Sequence, residues 1–244
     1  DPDLYTVAVS GYNVIDRQEN LNTDIQGINH YFGWYGGKIG DLEPWAKSIQ
    51  KDFPEYKIIL SEYGADGNMD IGQEELKMPD NVVRGKLFPE NYQTETHIQQ
   101  WAIIEKNPII AASYLWNMFE FAVPAWNRGG VNARNLKGIV TFDRQRKKDS
   151  FYWYKANWNP EPMIYLANRR DNQRTQAETR IQLFSNLQDI QLMVNGREYA
   201  VKQGVNGKHW VAENVQLQKG KNRIEARAKN GAETLTDEMT WELK

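Results

Sequence analysis

The feature that most limits how this 244-residue chain can fold is a change of hydrophobic period at Asn159-Pro160 and Pro162. Before it, short apolar runs alternate with longer amphipathic stretches, the pattern of βα units on a parallel sheet. Tyr5 to Ser10, Ile25 to Tyr31, Lys57 to Leu60 and Ile110 to Trp116 are the expected strands. Between the second and third, Leu42, Trp45, Ala46 and Ile49 recur at helical spacing, with Asp41 where an N-cap would sit and Pro44 in the first turn. Ile98, Trp101, Ala102 and Ile104 mark a second helix, ending near Asn107-Pro108. Beyond Pro162 the period becomes two: Thr179, Ile181 and Leu183; Ile190, Leu192 and Val194; Ile224, Ala226 and Ala228; Met239, Trp241 and Leu243. Asn195-Gly196 is a two-residue hairpin signal, and Lys219-Gly220-Lys221-Asn222 reads as a further turn. An α/β domain over 1–159 followed by an all-β, immunoglobulin-like sandwich over 160–244 is therefore expected.

Residues 63–92 and 120–150 lack steady periodicity and read as long excursions, which in compact domains are usually functional. The basic run Arg144 to Lys148 in the second reads as solvated surface. Elsewhere charge is balanced, 30 Lys plus Arg against 32 Asp plus Glu, without a block of one sign, so neither nucleic acid nor an anionic membrane is an expected partner. No apolar run approaches the roughly 20 residues of a membrane-spanning helix. The absence of cysteine removes disulfides, thiolate metal sites and cysteine nucleophiles. His30, His97 and His209 are scattered without ligand spacing, so neither a metal nor another cofactor is implied. Several of the nine Trp and twelve Tyr lie among Gly, Asn and His, and such rings offer apolar faces on which a carbohydrate can stack.

The polar groups that carry chemistry fall at three strand ends: Asn29-His30-Tyr31, Ser61-Glu62 and Trp116-Asn117. In parallel barrels the C-terminal strand ends hold the active site, so these positions converge on one mouth. A carboxylate there can be a nucleophile, a general acid, a metal ligand or an ion-pair partner. A phenol such as Tyr31 beside it can donate a hydrogen bond that keeps it ionised, which suits a nucleophile. His30 either lines the site or is a satisfied structural histidine.

Gly27-Ile28-Asn29-His30-Tyr31-Phe32-Gly33-Trp34-Tyr35, Ser61-Glu62-Tyr63-Gly64, Leu115-Trp116-Asn117-Met118-Phe119-Glu120-Phe121 and Asn135-Leu136-Lys137-Gly138-Ile139-Val140-Thr141 resemble successive motifs of glycoside hydrolase family 2, and Lys147 to Trp158 continues the match. That family holds β-galactosidases, β-glucuronidases and β-mannosidases. The resemblance implies strands five to eight, the C-terminal half, of a (β/α)8 TIM barrel, followed by the extra immunoglobulin-like domain of many bacterial β-galactosidases. It implies a retaining glycosidase with Glu62 as nucleophile, Tyr31 as its hydrogen-bond donor, Trp116 lining the sugar subsite, and Asn29 and Asn117 as polar contacts. The family's acid/base glutamate follows an asparagine at the end of the fourth strand, and no Asn-Glu pair stands on such a strand here. It is expected before Asp1, and hydrolysis by this chain alone is expected to be severely impaired. The expected partners are a carbohydrate substrate and the missing N-terminal half of the same enzyme, and open sheet edges also suit a homo-oligomer. A periplasmic or secreted enzyme is what the resemblance implies.

Asn135-Leu136-Lys137 matches the Asn-x-Lys element with which β-glucuronidases hold the uronate carboxylate, while the Lys-Gly continuation also resembles β-galactosidases with this kind of C-terminal domain. Overall architecture favours removal of terminal β-D-galactose, with β-glucuronidase as the alternative. A reading of another class is a non-catalytic carbohydrate-binding or scaffold segment using Trp210. Trp241, in phase with Met239 and Leu243, is expected in the core, and Trp210 is expected to be more open.

Overall fold

A computed structural model describes residues 3–11, 15, 18 and 20–244. The four apolar runs become β1 (Val7–Ser10), β2 (Ile25–Asn29), β3 (Ile58–Tyr63) and β4 (Ile110–Leu115), a parallel sheet with neighbours in chain order. Helix α1 (Leu42–Asp52) connects β2 to β3 and buries Leu42, Ala46 and Ile49, as its spacing predicts. Asp41 does not cap it; its carboxylate accepts from the Lys38 N–H at 2.8 Å and closes the 3-10 turn Ile39–Asp41. Helix α2 (Glu90–Lys106) begins well before the apolar set that marks it. Its first turns bury Gln93, Thr94 and Thr96, whose side chains bond to backbone carbonyls of Ala65, Glu90 and Tyr92. Apolar periodicity cannot register turns buried through polar side chains.

Residues 64–89 form the expected excursion. The second one is more ordered than expected: it contains the hairpin β5 (Phe121–Arg128) and β6 (Val131–Asn135) and ends where α3 (Asp149–Trp158) begins. Gly129 and Gly130 turn the hairpin at φ of 63° and 81°, a left-handed conformation that glycine adopts without penalty. Nor is the basic run wholly solvated. Lys148 is buried, its ammonium 2.9 Å from the buried Glu120 carboxylate, because an uncompensated charge could not be desolvated there.

The C-terminal part is two facing sheets. One is formed by β7 (Ile164–Leu166), β9 (Glu178–Ser185), β12 (Lys202–Gln203) and β13 (His209–Gln216). The other comprises β8 (Gln173–Arg174), β10 (Ile190–Val194), β11 (Arg197–Tyr199), β14 (Gly220–Asn230) and β15 (Glu233–Leu243). Asn195 and Gly196, at φ of 51° and 82°, make the predicted tight turn between β10 and β11. Ile181, Leu183, Leu192, Val194, Ile224 and Trp241 meet between the sheets. Trp210 joins the same core at 8% exposure, against the expectation of an open ring, so the glycan-binding use of that ring loses its basis.

The two parts share a core. Met163, Tyr165 and Phe184 pack into the cluster that contains Trp153 and the buried residues of β2 to β4. Tyr165 stacks on Tyr152 at 3.7 Å and 9°. Across the same junction Arg170 bridges Glu90 at 2.5 Å and Asp149, which stand at the starts of α2 and α3.

Candidate active site

β2, β3 and β4 bring their C-terminal ends to one rim. Glu62 pairs with Asn29 across the strands, the His30 N–H donates to the Glu62 carbonyl at 2.9 Å, and the Trp116 N–H to the Tyr63 carbonyl at 2.8 Å. The ladders are irregular just there, at Ile28/Asn29 and at Leu60/Tyr63. Such irregularities re-aim side chains at the mouths of barrels. Behind the rim, Gly64 sits at φ 131°, and a Cβ on it would stand 2.8 Å from the buried His97 ring. A glycine is required for β3 to leave the sheet this close to α2.

The Tyr31 hydroxyl donates to Glu62 Oε2 at 2.5 Å. Burial, then the hydrogen bond and negative charge of Glu62, push the Tyr31 phenol far above its ordinary range, so it remains a proton donor. Ser61 donates to Asn29 Oδ1 at 2.8 Å, fixing that amide beside the carboxylate. His30 packs on Phe32 at 3.5 Å and edge-on to Trp45 at 5.3 Å, and burial lowers its pKa to about 4. It is a neutral ring among rings. Trp116 is half-buried, joined to Asn117 by a cis peptide and edge-on to Phe121 at 6.0 Å. Asn117 spends its polar groups on the chain: its side chain donates to the Phe119 carbonyl at 2.7 Å and its own carbonyl accepts from Ile139 at 3.0 Å. It thereby ties the segment carrying Lys137 to the end of β4.

Asn135 and Lys137 belong to a second cluster against the first. Asn135 Oδ1 accepts from the Lys137 N–H at 2.8 Å. The Lys137 ammonium, 1% exposed, donates to Asp66 Oδ1 at 2.5 Å and to the Tyr35 hydroxyl at 3.0 Å. It also lies 5.4 Å from the Tyr31 ring centre, and the Tyr31 and Tyr35 rings meet edge-on at 5.1 Å. Asp66 is shared with Arg128, whose Nη2 is 3.3 Å from Oδ2. Two cations and one carboxylate leave this buried triad with a net positive charge. The nucleophile candidate and this cationic cluster are thus joined through the Tyr31 and Tyr35 rings.

The site residues expected at the strand ends and in the Asn-x-Lys element lie on this rim or in the adjoining cluster, but they divide by environment. Glu62, Tyr31, Asn29 and Trp116 are half-buried at the mouth, whereas Asn135 and Lys137 are buried. Tyr35, Asp66 and Arg128 were not singled out. Asp66 stands four residues after Glu62, yet nothing in sequence spacing pairs it with Lys137, 71 positions away.

No protein-family model matches the chain. Over its whole length it is 38% identical to a β-glucuronidase of Bacteroides fragilis, 34% of which it covers. Among solved structures it superposes at a TM-score of 0.95 and 48% identity on a Bacteroides fragilis protein provisionally named a β-galactosidase, covering 100% of this chain and 36% of that one. An FMN-binding β-glucuronidase of Faecalibacterium prausnitzii L2-6 matches at a TM-score of 0.89 and 33% identity, again over 100% of this chain and 36% of the other. The chain spans about a third of the length of these relatives. Agreement of this extent over the whole chain, with four motifs in order, makes it similar to one stretch of enzymes of the glycoside hydrolase family 2 type.

Proposed function

We propose that this chain carries the nucleophile of a retaining β-glycosidase, Glu62, and that the substrate is a terminal β-D-glucuronide. The contact between the Tyr31 hydroxyl and Glu62 Oε2 at the rim of a parallel sheet carries the reading. In this mechanism the ionised Glu62 attacks the anomeric carbon, the leaving oxygen takes a proton from a second carboxyl group, and water then releases the sugar from the glycosyl ester. Tyr31 holds and aims the attacking carboxylate, and Trp116 and Asn29 line the sugar. The second carboxyl must stand about 5 to 5.5 Å away in a retaining enzyme. In this reading it comes from another segment of the full-length protein, and this chain alone is inactive.

The same reading makes β1 to β4 strands five to eight of a TIM barrel, residues 160–244 an immunoglobulin-like domain, and the rest of the barrel the partner of this half. The order of the parallel strands and the coverage of only a third of each relative support it. Galactose was the sugar expected on architecture. The net positive charge of Lys137, Arg128 and Asp66 beside Tyr31 favours a sugar bearing a carboxylate, since an ammonium and guanidinium in a desolvated site attract an anion strongly. The provisional name of the relative that is 48% identical keeps β-galactoside as the second reading.

Trapping of the full-length protein with 2-deoxy-2-fluoro-glucuronide and with its galactoside counterpart, followed by peptide mass mapping, tests both points. A label from the glucuronide on the Glu62 peptide is expected. A label from the galactoside alone moves the substrate to galactose, and no label on that peptide in an active protein removes the nucleophile.

A further inference from the structure

Lys137 is an unusual group to meet a ligand with. Its ammonium is 1% exposed, and two of its three N–H donors are taken by Asp66 and Tyr35. It is enclosed by rings, 5.1 Å from the centre of Trp34 and 4.7 Å from that of Tyr35. A long flexible lysine needs an anchor to be held at one depth, and the anchor here is Asp66, 1% exposed. Asp66 is in turn restrained by Arg128, whose guanidinium lies 3.4 Å over the Trp126 ring and 3.3 Å from Asp66 Oδ2. The charge count matters as much as the geometry. An Asp66–Lys137 pair by itself would be neutral and would offer an anion little, whereas Arg128 restores one positive charge to the cluster.

We propose that Asp66 and Arg128 are positioning residues for substrate charge: Asp66 fixes the Lys137 ammonium against Tyr35, and Arg128 keeps the cluster net cationic, so that together they set the preference for a sugar carboxylate. This role rests on the uronate reading above and adds to it two residues that need not touch the substrate. It predicts an effect confined to ligands that carry the carboxylate. A purely structural ion pair would weaken every ligand alike.

The test is calorimetric binding, on the full-length protein, of two isofagomines that differ only in bearing a carboxylate or a hydroxymethyl group at the sugar C6 position. The wild type should prefer the carboxylate form. Arg128→Gln, which leaves only the neutral Asp66–Lys137 pair, should weaken that form by about 10- to 100-fold, the value of a charge-assisted interaction, and change the neutral one by less than about threefold. Asp66→Glu, which keeps the charge count but moves the anchor of the Lys137 ammonium, should give the same selective loss, smaller in size, and serves if Arg128→Gln does not fold. Equal loss of both ligands, or no loss of either, overturns the positioning role while the uronate reading stands. A wild type without preference for the carboxylate overturns both.

Discussion

Tyr31 and Glu62 come from different strand ends and meet at 2.5 Å, phenol donating to carboxylate. Because burial and the Glu62 charge keep that phenol protonated, the contact holds the carboxylate in one orientation without competing for its negative charge. Tyr31→Phe should therefore lower kcat of the full-length protein by about 100-fold, in the range seen when one preorganised donor is lost. The melting temperature should stay close to wild type. Unchanged kcat would remove Tyr31 from the mechanism.

Gly138 separates Lys137 from the strand-like contacts at Ile139 and Val140, and a Cβ on it would lie 2.0 Å from the Glu120 backbone nitrogen. That backbone cannot retreat cheaply, since Glu120 N–H donates to Val140 and Val140 N–H to Met118 at 3.0 and 2.9 Å. Gly138→Ala should destabilise the protein by about 3 kcal/mol, as overpacking does at its upper range, measured by urea unfolding.

Arg170 bridges Glu90 and Asp149 at the junction of the two parts. Arg170→Met leaves two buried carboxylates without their cation, and breaking buried pairs in this way costs about 3–5 kcal/mol. Chemical denaturation should show the loss, and limited proteolysis should cut first near residues 159–162. Stability within about 1 kcal/mol of wild type would show the staple to be dispensable.

Three buried groups give stability a pH dependence of mixed sign. His97 and His209 are lowered to about 3, by burial and then by the nearby charges of Lys148 and Arg180. The unfolded chain takes up those protons near 6.5, so their contribution is complete above that pH and is lost as pH falls toward 3. Glu90 is raised to about 7 by burial and the Asp149 charge, so its contribution is present below 4.5 and lost as pH rises toward 7. Each can supply at most about 1.4 kcal/mol per pH unit. Between pH 6.5 and 4.5 two histidines oppose one carboxyl, so acidification should destabilise. Glu90→Gln should steepen that loss; parallel curves for variant and wild type would refute the assignment.

β1 and β4 each pair on one side only among the described residues, and Tyr5, Val9 and Tyr114, 83%, 60% and 61% exposed, lie along or beside them. The isolated 244-residue chain should self-associate in sedimentation velocity, because unpaired strand edges template pairing. A monodisperse monomer unfolding cooperatively would count against a half-barrel.

The sequence by itself determined the periods, and with them the elements: the parallel strands, α1, the alternating strands of the C-terminal part and the Asn195-Gly196 turn. It also supplied Glu62, Tyr31 and Trp116, because rim residues follow strand ends that apolar runs announce. Only the tertiary structure decided which buried charges meet. Lys137, expected at the sugar, and Lys148, expected on the solvated surface, are both buried, one anchored by Asp66 and the other by Glu120. The β5–β6 hairpin, the early turns of α2 and the burial of Trp210 were decided the same way. Hydrophobic period is a local property and is legible residue by residue. Desolvation and charge pairing depend on groups far apart in the chain, and their outcome exists only once the chain has closed around them.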